Sequence, residues 1–390
     1  VVSIPSLLLP AYISNHLVNI MLSHMMIGLI FSAITVTKAA IQRRSGSLFV
    51  ALGSLIIIYA AINDILYSKS IFGNLYLVPT GFFIFLFFQT IMLSRKFTNS
   101  FNEIESLSIR LSKLNTALKR FVPFEFLDIL NKKSIIDIAL GDQVQKNMTI
   151  LFSDIRRFTE ISEKMTPQEN FNFLNSYLKR IGPIIRRHQG FIDKYIGDAV
   201  MALFPTSPEK ALQAAIEMQI EVRRYNNHRQ NSGYPPIAIG IGVHIGDSIL
   251  GTIGEQDRLE TTVIADAVNV SSRLESFTKE VGAPLIISEQ FKARLPNPQD
   301  YRFRNIGTIH LRGREKPIEL FEVLDGYAEE ELSQIEKIQS PFHKALTAYN
   351  DAHYQKALDG FQKIFKEHPQ DGPTAYYMAR CHFFLQSINN

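Results

Sequence analysis

Long apolar runs fill the front of the chain, whereas the remainder alternates short apolar stretches with polar turns. Three early runs, residues 23–40, 47–66 and 76–93, approach the roughly 20 residues that an α-helix needs to cross a hydrocarbon core. A fourth, residues 4–21, is interrupted by Pro10, Asn15, His16 and Asn19 and reads as the end of an earlier span followed by a loop. Up to Phe97 the only acidic residue is Asp64, near the outer end of its run where it can reach water. Lys38, Arg43 and Arg44 flank the first connection and only Lys69 the second, so cationic-loop asymmetry places residues 41–46 inside the cell. Crossing out and back returns the chain at Arg95 and Lys96, and everything beyond is expected in the cytoplasm beneath an inner membrane crossed several times.

From Phe97 the pattern changes period. Phe97, Phe101, Ile104, Leu107, Leu111, Leu114, Leu118 and Phe121 step by 4, 3, 3, 4, 3, 4 and 3, a short coiled-coil seam with one stammer at Ile104 to Leu107. A parallel dimer seam is expected over an amphipathic helix folding back on its own domain. Residues 148–324 then alternate strand-like and helical segments: MTILFSDI as a strand, residues 167–188 as an amphipathic helix, FIDKYIGDAVMALF as a hairpin, residues 208–226 as a second helix, PIAIGIGVHIG as a strand and residues 265–279 as a further helix. That order suits an α+β sheet covered by helices. The expected divisions are a membrane block (1–96), a coiled-coil connector and neck (97–147), an α+β domain (148–326) and a linker with a helical tail (327–390).

Composition sharpens this division. A mean hydropathy of +0.02 with 46% hydrophobic residues is too apolar for an ordinary soluble enzyme, and the excess lies in the front block. Several long runs in succession, with no single short run and cleavage site, argue against a signal peptide. The chain does not open with Met, as a piece of a longer protein would not. Cys381 is the sole cysteine, which excludes disulfides, CxxC redox chemistry and cysteine-based zinc sites. The net charge of +4 gives no reason to expect nucleic acid as a partner.

Two acidic residues stand out. Asp154 ends the strand TILFSD, and Asp198 sits in the tight turn Ile-Gly-Asp between two apolar half-strands. Each carboxylate should project from a rigid strand end, the placement suited to holding magnesium beside a triphosphate. Gly240 and Gly242 invite a dinucleotide-binding reading, but no GxGxxG follows and no helix starts there.

Four blocks, FSDIRRFTEISEKMTP (152–167), GFIDKYIGDAVMALF (190–204), GVHIGDSILGTIG (242–254) and RLETTVIADAVNVSSRLE (258–275), together resemble the class III nucleotidyl cyclase catalytic domain, in the correct order. The resemblance implies a ferredoxin-like α+β fold and a set of roles. Asp154 and Asp198 match the metal-binding aspartates, with the Ile155 carbonyl as a further ligand, for two Mg²⁺ ions that Mn²⁺ can replace. The amides around Arg157, Phe158 and Thr159 would cradle phosphates in the manner of a helix N-terminus. Lys194 and Thr262 match the base-selecting pair and read as adenine, with Lys donating to N1 and Thr accepting from the exocyclic amine. Asn269 and Arg273, one helical turn apart, match the residues that orient the ribose and stabilise charge on the transferring phosphoryl group. Arg312 falls where the family usually has a triphosphate-binding Lys.

In this family the metal and phosphate elements come from one subunit, and base recognition, Asn and Arg from the other. One chain carrying both sets implies a homodimer acting on ATP. The sequence departs from the family pattern at Arg157 (often Gly), Ala265 (usually Gly) and Glu260 (often Asp). The expected activity is conversion of ATP to 3′,5′-cyclic AMP and pyrophosphate. Alternatives are a guanylate cyclase, against which Lys194 argues; a catalytically silent dimerising receptor, against which the four retained groups argue; and a transporter, which leaves the cytoplasmic constellation unexplained.

The flanks carry weaker resemblances. AAINDIL and LFFQTIMLSRKF are similar to the closing helices of bacterial seven-transmembrane receptors with diverse intracellular signalling modules, which would make residues 121–148 a transducing neck. After the acidic stretch EEELSQIE, taken as a linker, Tyr349, Tyr354, Ala357, Phe361 and Pro369 resemble one tetratricopeptide unit and the start of another. The preferred role of this tail is a cap on the catalytic domain, with docking of a partner protein as the alternative.

Overall fold

A computed structural model describes residues 11–41, 46–68, 71, 75–255, 257–310 and 317–389, and these fall into two compact units, Val1–Arg120 and Phe121–Asn390. The first unit is helical: α1 (Ala11–Ile41), α2 (Ser47–Ser68) and α3 (Val78–Leu118). The loop expected before residue 21 is instead helix, because α1 begins at Ala11 and runs through Asn15, His16 and Asn19. These polar residues are mediocre helix formers but do not break a helix as an internal Pro does. Among the described residues, α2 and α3 are long and apolar enough to cross a membrane. They approach through small residues, a Cβ on Gly81 falling 2.8 Å from that of Ala60. Asp64 accepts hydrogen bonds from the amides of Leu77 (2.7 Å) and Val78 (3.0 Å), capping the start of α3. Its carboxylate therefore has a structural task.

At 41 residues α3 extends about 60 Å and carries the apolar run into the expected seam without a break. Along it Phe97, Phe101, Ile104, Leu107, Leu111 and Leu114 are all more than half exposed.

The second unit opens with α4 (Glu125–Ile129), whose Phe126 is buried edge-on against Phe191. There follow β1 (Gln143–Ile155), α5 (Phe158–Ser162), α6 (Pro167–Arg187), β2 (Phe191–Ile196), β3 (Ala199–Phe204), α7 (Pro208–Asn231), β4 (Ile239–Glu255), β5 (Arg258–Ile264), α8 (Asp266–Val281), β6 (Leu285–Ser288), α9 (Glu289–Lys292), β7 (Phe303–Ile309) and β8 (Ile318–Val323). The eight strands form one sheet in the order β2-β3-β1-β4-β6-β8-β7, with β5 also paired to β4. Among the described residues only β4 and β6 run parallel. The first strand starts at Gln143, inside the stretch expected to be neck.

Strand alternation sorts β1 between two cores. Leu151 and Ile155 face α6 and α7 with Tyr177, Ile181 and Met218, while Met148, Ile150 and Phe152 face the opposite side with Leu250 and Val263. Helix α6 is started by a capping box of Thr166 and Glu169 with Pro167 in its first turn.

The tail is three helices, α10 (Glu329–Asn350), α11 (Tyr354–Glu367) and α12 (Gly372–Asn389). The acidic stretch expected as a linker is the start of α10. Glu329, Glu330 and Glu331 sit in its first turn, where negative charge favours helix. The tail is wired to the sheet: buried Arg304 donates from Nε to Glu322 (2.7 Å) and from Nη1 to Asp371 (2.7 Å), and Tyr377 donates to the carbonyl of Ile306 (2.7 Å).

Candidate active site

The two aspartates singled out in the sequence meet at one backbone amide. β1 pairs antiparallel with β3 as far as Ser153 opposite Val200, so Asp154 leaves the ladder beside the turn that joins β2 to β3. Gly197 supplies the positive φ of that turn (+66°) and Asp198 follows it. The Ile155 N–H donates to Oδ1 of Asp154 (3.0 Å) and Oδ2 of Asp198 (3.1 Å). Burial, and then the neighbouring Asp154, push the Asp198 carboxyl up to about 7. No cluster of three or more His, Cys, Asp or Glu side chains is gathered for a metal among the described residues. Two carboxylates fit a magnesium site that is shared with substrate phosphates and water, as opposed to an all-protein cage.

Two further groups lie beside this pair and were not singled out in the sequence. Arg156 bonds to the Thr278 hydroxyl and lies 3.7 Å from Glu275. Glu275 is itself pushed up to about 7, by burial and then by the charge on Asp154. Nothing in the RLE tripeptide announced this, because the contact is made only when α8 lies across the sheet.

The proposed base-selecting residues also come together, around a third that the sequence reading passed over. The Asp193 side chain is wholly buried, and its Oδ2 accepts from the Thr262 hydroxyl (3.4 Å) and lies 3.7 Å from Nζ of Lys194. Lys194 donates to Glu260 at 2.5 Å. Burial pushes Asp193 up to about 6, with Lys194 pulling it down.

Asn269 and Arg273 stand on α8, which is held hard against the sheet. The Ser271 hydroxyl bonds to the carbonyls of Ile150 (2.7 Å) and Gly242 (2.9 Å), and a Cβ on Gly242 would lie 2.2 Å from the Glu275 nitrogen. The glycine that suggested a nucleotide loop thus serves helix-to-sheet contact. Asn269 is exposed and Arg273 half-buried, and neither makes a side-chain hydrogen bond or ion pair among the described residues.

The expected phosphate loop is less regular. Arg157 takes the left-handed conformation (φ +55°, ψ +35°), which explains why glycine suits this position. The ring of Phe158 stacks on Phe173 in the core, and Thr159 is exposed at the start of a helix of only five residues. The latter limits any dipole contribution. Arg312 lies outside the described residues.

Two cavities lie nearby: one of about 910 Å³ includes Arg156 and Arg157, and one of about 430 Å³ between α8 and the tail includes Arg273. Neither gathers Asp154, Asp198, Lys194, Thr262 and Arg273 in one place.

A mixed sheet with paired acids at one end and an Asn/Arg helix across it is the arrangement that the sequence resemblance implies. Residues 141–324 match the sequence model of the adenylate and guanylate cyclase catalytic domain, the class III domain that the sequence resembles. Among curated relatives, an adenylate cyclase of Anabaena cylindrica is 42% identical over 234 residues, covering 57% of this chain and 47% of the relative. A terminal-differentiation-specific adenylate cyclase of Dictyostelium discoideum is 34% identical over 277 residues, covering 70% of this chain and 13% of the relative. The chain thus spans about half the length of the first and much less of the second. A solved bacterial light-regulated adenylyl cyclase shares the fold, with a TM-score of 0.51 at 24% identity over 61% of this chain and 68% of that one.

Proposed function

We propose that the chain is a membrane-bound adenylate cyclase that converts ATP to 3′,5′-cyclic AMP and pyrophosphate at sites shared by two copies. The observation that carries this is the convergence of Asp154 and Asp198 on the Ile155 amide, in a domain that also presents Lys194 with Thr262 and Asn269 with Arg273. The resemblance to adenylate cyclases supports ATP as the substrate. Asp154, Asp198 and the Ile155 carbonyl would hold Mg²⁺, or Mn²⁺ in its place, and the bound metal supplies activation of the ribose 3′-hydroxyl and neutralisation of the triphosphate. Lys194 donates to adenine N1 and Thr262 accepts from the amine. Asn269 orients the ribose, and the Arg273 guanidinium stabilises charge growing on the α-phosphoryl oxygens. Amides near Arg157 and Thr159, with Arg312, contact the triphosphate. A 3′-oxygen attacking the α-phosphorus in line expels pyrophosphate, so no water is consumed.

The exposed seam on α3 supports a parallel dimer, since an apolar stripe of this length is best covered by its own copy. The apolar helices support a multi-pass position in the inner membrane with the catalytic domain in the cytoplasm and membrane lipid around the spans. The contacts of Arg304 and Tyr377 support the tail as a cap, of tetratricopeptide type, more than as a dock for another protein. Gating by a transmembrane signal completes the reading. It predicts that residues inserted after Ile104 change activity with heptad periodicity.

The test is product formation by detergent-solubilised protein with Mg²⁺ or Mn²⁺, offered ATP and GTP separately. Cyclic AMP from ATP supports the reading. Cyclic GMP from GTP alone would make the chain a guanylate cyclase, and no product from either would make it a silent receptor.

A further inference from the structure

The strand that carries Lys194 is not regular. Against β3, Phe191 pairs with Leu203 and Ile192 with Ala202, but Met201 pairs with Lys194, so Asp193 is the extra residue of a β-bulge. In a regular strand neighbouring side chains point to opposite faces, and 193 and 194 could not both reach one neighbouring strand. The bulge re-aims them together. Both then meet β5, where residues two apart share a face: Lys194 bonds to Glu260 and Asp193 to Thr262. The Asp193 side chain is 0% exposed, and its Oδ1 has no hydrogen-bond partner among the described residues. A buried carboxylate with one oxygen unsatisfied costs stability, which points to a task other than folding.

From this geometry we infer that Asp193 is a positioning residue that fixes the hydrogen-bond polarity of the base pocket, so that the pocket accepts adenine and rejects guanine. This rests on the adenylate cyclase reading. A threonine hydroxyl has one proton and two lone pairs, and by itself it presents either to a ligand. Asp193 can only accept while ionised, so the Thr262 proton is committed to Oδ2 and lone pairs face outward. Lys194 has only donors. The pocket then reads donor at Lys194 and acceptor at Thr262. Adenine offers the complement, an acceptor at N1 and a donor at the exocyclic amine. Guanine offers the reverse, N1–H and O6, and meets like against like at both positions. Without Asp193 the Thr262 hydroxyl can rotate and donate to O6, and half of the discrimination disappears.

The experiment uses the whole chain in detergent and measures binding of two non-cyclising probes, 3′-deoxy-ATP and 3′-deoxy-GTP, with Ca²⁺, for wild type, Asp193→Asn, Thr262→Val and the double variant. Cyclic AMP formation is followed alongside. Asp193→Asn should reduce the ATP-to-GTP affinity ratio by roughly tenfold, mostly through tighter GTP binding. It should change that ratio little once Thr262 is already Val, because coupled residues are non-additive. A merely structural role would weaken both nucleotides alike and leave the ratio in place, and would overturn the inference. Thr262→Val serves if Asp193→Asn does not fold: unless it also lowers the ratio, Thr262 does not read the base and the inference falls. A wild type that prefers GTP or neither probe overturns the adenine reading and this inference with it. A wild type that prefers ATP with an unchanged ratio in the variant overturns the inference alone.

Discussion

The two halves of the candidate site are built differently. At the β1 and β2–β3 end the acidic groups already meet within the chain, since Asp154 and Asp198 share the Ile155 amide. On α8 the backbone is just as firmly held, through Ser271 and Gly242, yet Asn269 and Arg273 make no side-chain bond among the described residues. A buried charge must be compensated within its own chain, whereas a half-exposed Asn and Arg on a rigid helix can wait for groups supplied by another molecule. The contrast teaches which face is meant to be completed, and fits a proposal in which the α8 face serves the metal half of a second copy.

Removing one group from each half is the largest way to break that comparison. Asp198→Ala and Arg273→Ala should each lower cyclic AMP formation by more than about a hundredfold, read as initial rate at saturating ATP. Asp198→Ala should leave the fold intact or firmer, because it relieves a like-charge contact. Loss of folding in both would make the two halves equivalent structural elements.

Next in size is the link to the tail. Asp371→Ala leaves Arg304 with one carboxylate and strips Thr374 of its acceptor, so urea unfolding should show a loss of about 3 kcal/mol. A loss below about 0.5 kcal/mol would mean that the tail does not cap the sheet.

The acid half should also respond to pH and metal in a defined direction. Asp193 is raised to about 6, and Asp198 and Glu275 to about 7, all above ordinary carboxylates. The folded state then holds protons that the unfolded state releases. This contribution to stability is full at low pH and is lost as pH rises through 6 to 7. Metal-free protein should unfold at lower urea at pH 8 than at pH 5, and Mg²⁺ should restore more stability at pH 8, where it no longer competes with the Asp198 proton. Equal midpoints with and without metal at both pH values would contradict this. The smallest effect is at Arg157, whose left-handed backbone makes Arg157→Gly stabilising by up to about 1 kcal/mol, a rise of roughly 2–4 °C in melting temperature.

Much of this was legible before the fold was known, for identifiable reasons. Asp154 and Asp198 end apolar strand patterns, and a period of two sets where such residues point. Asn269 and Arg273 are four apart, a spacing that means one face on any helix. What escaped depends on contacts that local pattern does not carry. Glu275 and Arg156 meet only because α8 crosses the sheet at Gly242. Asp193 escaped because the bulge that turns it toward β5 leaves no mark in the local pattern. The start of α1 was misjudged as a loop because its polar residues were weighed as breakers, and the Glu-rich entry to α10 as a linker because charge was weighed over its place in a first helical turn.

The most direct test of the shared site is to co-express Asp198→Ala and Arg273→Ala chains, each inactive alone, and assay cyclic AMP. Random pairing gives mixed dimers in which one of two sites has an intact metal half and an intact α8 half, so about a quarter of wild-type activity should return. Activity no higher than that of either variant alone would contradict a site built from two chains.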